Sequence, residues 1–102
     1  MGLDVRRETE KGEQEDEVLD SDNILPGLLN RCRDREWRLI QYIDPYGDTV
    51  FNQLQIPRLL EELHSLMPLA ESESERKLLS AVLDLVGRTR NEAHTYIKFY
   101  GD

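Results

Sequence analysis

His64 and His94 are the two imidazoles of this 102-residue chain, and Cys32 is its single thiol. Neither histidine stands in a His-x-x-x-His or His-Glu-x-x-His frame, the spacing that turns two ligands toward one metal ion. A small metal-dependent enzyme would have to gather His64, His94 and a carboxylate such as Asp44 or Asp48 by folding. Asp44 and Asp48 have the spacing of calcium ligands, but the rest of that loop and its closing Glu are missing. Turn formation accounts for both aspartates. Cys32 falls on the apolar side of a short helical pattern, where a thiol behaves as a small buried hydrophobe. Ser21, Ser65, Ser72, Ser74 and Ser80 all lack the Gly-x-Ser-x-Gly elbow, and the six glycines are too dispersed to cradle a phosphate. Catalysis therefore has no site signature, and no cofactor is called for.

Arg31, Arg33, Arg35 and Arg38 form the one basic concentration, and Trp37 and Tyr42 follow closely. Cations beside aromatic rings are what single-strand nucleic-acid binders use. Asp34 and Glu36 interleave with these arginines, however, and a net negative chain has no long-range attraction for phosphate. The segment Tyr96-Ile97-Lys98-Phe99-Tyr100-Gly101 shares aromatic residues with the RNA-recognition sheet but lacks its Gly-aromatic-Gly frame. Weak RNA binding stands as a minor alternative.

Charge is unevenly distributed. The chain carries 21 acids against 13 bases, a formal net charge of −8. Residues 1–23 hold nine of those acids and three of the bases. No apolar side chain occurs between Arg6 and Glu17, so residues 1–22 read as a disordered acidic tail that cannot offset its ordering entropy. Residues 23–102 then form a single domain. No apolar run is long enough for a membrane span, and the N-terminal residues lack the features of a signal or transit peptide. A cytoplasmic location is the expectation.

The elements that must position these groups follow from periodicity. Asp22 or Asn23 can cap a short helix over about 24–32. Trp37 to Ile43 is compact and aromatic, and Asp44-Pro45-Tyr46-Gly47-Asp48 is turn chemistry. Together with Thr49-Val50-Phe51 this predicts a hairpin joining strands at about 37–43 and 49–52. Pro57 opens a helix over about 57–67, and Ser72 with Glu75 forms a capping box for a helix over about 73–91. Alternation from His94 to Tyr100 predicts a last strand over about 94–100. The expected fold is a small two-layer α+β domain, with a three-stranded antiparallel sheet covered on one face by two helices.

Strand alternation then nominates a surface. Thr95, Ile97 and Phe99 point one way; His94, Tyr96, Lys98 and Tyr100 point the other. Arg38, Ile40 and Tyr42 would share one face of the first strand and could join that open side. Such a composition suits the core of a protein interface. The expectation is a non-catalytic interaction module that uses Tyr96, Tyr100, Lys98, His94, Arg38 and Tyr42 to bind another protein or a second copy of itself. An inhibitor of the bacterial immunity or antitoxin type is one concrete form.

Overall fold

The computed structural model describes residues 2–31 and 38–101, with Glu15 by its backbone alone. Four strands, β1 (Asp4–Thr9), β2 (Gln14–Val18), β3 (Asp48–Phe51) and β4 (Thr95–Tyr100), form one antiparallel sheet in the order β2-β1-β4-β3. Among the described residues three α-helices, α1 (Leu25–Arg31), α2 (Ile56–His64) and α3 (Glu73–Thr89), accompany it. The α+β class is as expected, but the sheet has four strands rather than three.

The extra strands come from the presumed tail. Residues 4–18 form a hairpin turning through Gly12, whose φ of 81° suits a residue without Cβ. Its two apolar side chains serve the core, as does Leu3 just before it: Leu3 and Val5 are fully buried and Val18 packs against the same cluster. Charged residues fill most of the remaining positions and pair across strands, with α3 or with the turn that follows it. Arg6 meets Glu17 at 3.3 Å, Arg7 meets Glu92 at 3.2 Å, and Arg88 meets Asp16 at 2.8 Å. β1 is a central strand, bonded on one side to β2 and on the other along all of β4. Composition argued for disorder; a complete main-chain ladder and paired charges order the segment instead.

The expected strand over 37–43 does not form among the described residues. Ile40–Tyr42 is a turn of 3-10 helix, and Ile40 is core. Its cause is Glu62 of α2, a buried carboxylate that accepts the main-chain N–H groups of Leu39 and Ile40 at 3.1 Å and of Arg38 at 3.3 Å. Donors committed to one carboxylate cannot join a sheet ladder, so tertiary bonding overrides strand propensity here.

The helices start and stop for local reasons. Asp20, itself buried, accepts from the N–H groups of Ile24 at 2.7 Å and Leu25 at 2.9 Å, and so caps α1 in place of Asp22 or Asn23. Its carboxylate also receives the Leu3 N–H at 3.2 Å, which ties the hairpin to α1. Gly2 lies so close to Asp20 that a Cβ there would come within 1.7 Å of the Asp20 carbonyl oxygen. α2 stops at His64, ahead of a short 3-10 turn at Met67–Leu69 that contains Pro68. The capping box of α3 is present in full: Glu75 N–H bonds Ser72 Oγ at 3.1 Å and Ser72 N–H bonds Glu75 Oε1 at 3.3 Å. The core lies between helices and sheet, where Phe51 and Phe99 meet edge to face at 5.8 Å beside Ile97, Leu59, Leu79 and Leu85.

Candidate functional site: the open sheet face

β4 alternates as its sequence dictates. Thr95, Ile97 and Phe99 are buried under the helices, while Tyr96, Lys98 and Tyr100 are half-buried on the other side. Register places Asp4, Arg6 and Glu8 of β1 and Asp48 and Val50 of β3 beside them. Glu17 of β2 joins through its pairing with Arg6.

Two of the expected anchors are bound up in the face itself. The Tyr100 ring has the Arg6 guanidinium 4.3 Å and the Lys98 ammonium 4.5 Å from its centroid, and its hydroxyl donates to Glu8. Lys98 also lies 3.8 Å from Asp48. The Tyr100 phenol raises the Lys98 pKa most, against the opposing effect of burial, and Glu8 and Asp48 add to the rise. Cations held over an aromatic face add roughly 0.5–1 kcal/mol each at exposed sites. Tyr100 and Lys98 therefore act first as a clasp that holds β1, β4 and β3 together.

Tyr96 is different. Its ring stands between two shallow depressions, one of about 220 Å³ shared with Glu8, Val50 and Lys98, the other of about 270 Å³ shared with Leu54 and His94. Val50 is 52% exposed and Leu54 91% exposed. These two residues, with Glu8 and Arg6, complete a surface that sequence reading only half found. Alternation in Thr49-Val50-Phe51 was the available signal for Val50, since burying Phe51 turns Val50 outward.

The other nominated residues lie elsewhere. His94 precedes β4 in the left-handed backbone region, with φ of 61°, and its Nδ1 sits 3.2 Å from Glu10 at the end of the sheet. Arg38 and Tyr42 are exposed, but they belong to the segment bonded to Glu62 and are not strand residues sharing a face with Ile40. Arg31 is committed to Glu75 at 2.7 and 2.8 Å, to Glu71 at 3.1 Å and to the Leu69 carbonyl at 3.1 Å. Cys32, Arg33, Arg35 and Trp37 lie outside the described residues. His64 is exposed on α2, and among the described residues no three His, Cys, Asp or Glu side chains converge as a metal site would require. Among the same residues, no helix is long and apolar enough to cross a membrane.

Fold and face together define a small α+β protein in which the described residues leave one side of the sheet uncovered. Compared with protein families, with curated proteins and with solved structures, the chain shows no match.

Proposed function

We propose that the chain is a small non-catalytic interaction module that meets a basic surface of another protein through its open sheet face. The observation that carries this reading is Tyr96, an amphipathic ring with no polar partner among the described residues, set between exposed Val50 and Leu54. Aromatic anchors ringed by energetically modest contacts that exclude water are what interface centres are made of. Around them the face carries Asp4, Glu8, Glu17 and Asp48 against Arg6 and Lys98, an excess of acid that selects a basic partner. Three of the acids of the N-terminal segment, Asp4, Glu8 and Glu17, lie with this face, because β1 and β2 build half of it. An inhibitor of the immunity or antitoxin type, covering a basic functional surface of its target, is a concrete form of this proposal.

The test is capture from the native host's lysate on immobilised full-length chain and on its Tyr96→Ser variant. A protein held by the first, lost by the second and released by salt supports the reading. Equal capture by both removes the sheet face from it.

A further inference from the structure

The two edges of the sheet are unlike. At the β2 edge the outward N–H of Glu17 is already taken by the Asp16 carboxylate at 2.9 Å, the strand is almost wholly charged or amide, and a register shift interrupts its pairing with β1. These are the devices that keep a sheet edge from pairing with another chain. The β3 edge has none of them. Gly101 N–H bonds the Gly47 carbonyl at 2.8 Å, so by the alternation of an antiparallel ladder Thr49 and Phe51 exchange bonds with β4. The main-chain groups of Asp48 and Val50 then point away from the sheet, and no described residue bonds them. Asn52, the next outward position, is closed: its N–H goes to Gln55 Oε1 at 2.9 Å and its carbonyl accepts from Gln55 and Ile56.

We propose that β3 is a pairing edge for a second copy of this chain, with Asp48 and Val50 of one protomer bonding Val50 and Asp48 of its partner in antiparallel sense to give a continuous eight-stranded sheet. This register uses every free main-chain group of the strand and calls on none that is already committed. It sets each Asp48 opposite a Val50 and not opposite its twin, and Lys98 stands 3.8 Å from Asp48 to offset its charge. The antiparallel sense also matches the exposed apolar side chains. Tyr46, 82% exposed, precedes β3 and Leu54, 91% exposed, follows it. A two-fold axis through the strand centre brings the Tyr46 end of one protomer to the Leu54 end of the other, twice. The pairing does not rest on the proposed hetero-partner: it uses the edge of the sheet, and its test involves no other protein.

The experiment is sedimentation equilibrium of the full chain from about 5 to 500 µM, at low and at high salt. The expected result is a mass rising from 11.9 kDa toward twice that value. Higher salt should tighten the dimer, because it screens repulsion between two copies that each carry −8. Val50→Lys should abolish the dimer with the circular dichroism spectrum unchanged, as an edge lysine does. Val50→Pro should do the same, since it removes only an outward N–H. Leu54→Ser should weaken the dimer by about tenfold or more, as two leucine contacts are lost per dimer. A mass fixed at the monomer value throughout would overturn the proposal, and so would a dimer that survives in folded Val50→Lys. If Val50→Pro does not fold, Val50→Lys decides alone.

Discussion

The Glu62 carboxylate on α2 receives the main-chain N–H of Ile40 at 3.1 Å, and through that contact a charged side chain inside the protein sets the path of a distant segment. Leu39, Arg38 and the Arg58 guanidinium, at 2.8 Å, bond the same two oxygens. Burial pushes the Glu62 pKa up, but the Ile40 N–H, Arg58 and the Leu39 and Arg38 N–H groups outweigh it and hold the pKa below the ordinary value. The stabilisation is therefore fully present above about pH 4.3, the unfolded value, and is lost as pH falls through the lower folded value. Glu62→Ala should cost about 3 kcal/mol or more, because it strands buried donors. Glu62→Gln should flatten the acid limb of the stability curve, measured by urea denaturation from pH 6 to pH 2. An identical acid limb in wild type and Glu62→Gln would show that the carboxylate is not the titrating group.

Glu75 works at two ends. It closes the capping box and accepts from both terminal guanidinium nitrogens of Arg31, and its pKa falls to about 2, chiefly through Arg31 and then through the Glu71 N–H. Its contribution is present above the ordinary Glu value and disappears only as pH drops toward 2. An NMR titration of its side-chain carboxyl carbon should show a midpoint near that value; a midpoint above 4 would mean the Arg31 contact is not kept in solution. Ser72→Ala, which removes the other half of the box, should cost about 1 kcal/mol and lower Tm by about 4–8 °C.

A chain cut to residues 24–102 should not fold. It lacks both β1 and β2, half of the four-stranded sheet, together with Leu3 and Val5, both fully buried, and the Asp20 carboxylate that caps α1. Far-UV circular dichroism and a thermal melt would check this. A cooperative melt from residues 24–102 would return the hairpin to the status of an appendage.

Tyr96→Ser should leave the fold intact, since Tyr96 is half-buried and outside the core cluster. It should weaken a partner that uses the face by about thirtyfold, the effect of losing an interface anchor worth about 2 kcal/mol. Tyr100→Ser should instead lower Tm, because it opens the clasp of Arg6, Lys98 and Glu8. Melting curves of the two variants side by side separate these roles; equal loss of stability would contradict the assignment.

Where local pattern and tertiary need agreed, the fold was legible. The Ser72–Glu75 box, the apolar stripe of α3 and the alternation of β4 all stand as read, while the helix expected over about 24–32 is present at Leu25–Arg31 with Asp20 as its cap. Trp37 to Ile43 misled because its aromatic and branched residues favour a strand, while Glu62, more than twenty positions later, claims the donors. Residues 4–18 misled because only Leu3, Val5 and Val18 reveal an inward face, and paired charges carry the rest. The signal was present in Gly12, a turn residue midway between two charged runs of strand length. At the candidate site, alternation found Tyr96, Lys98 and Tyr100. Alternation in Thr49-Val50-Phe51 also carried the signal for Val50, whereas Leu54, which follows β3, had none.

The order β2-β1-β4-β3 also bears on when the protein can fold during synthesis. Glu8 and Tyr100, bonded through their side chains, stand 92 residues apart, and the central pair of strands is the first and last made. Until β4 has left the ribosome, β1 has only β2 for a neighbour, and a lone hairpin is at best marginally stable in water. Closure of the sheet must wait for that long-range pairing, which makes folding slow for a domain of this size. During that wait the hairpin's dense charge would keep the nascent chain soluble.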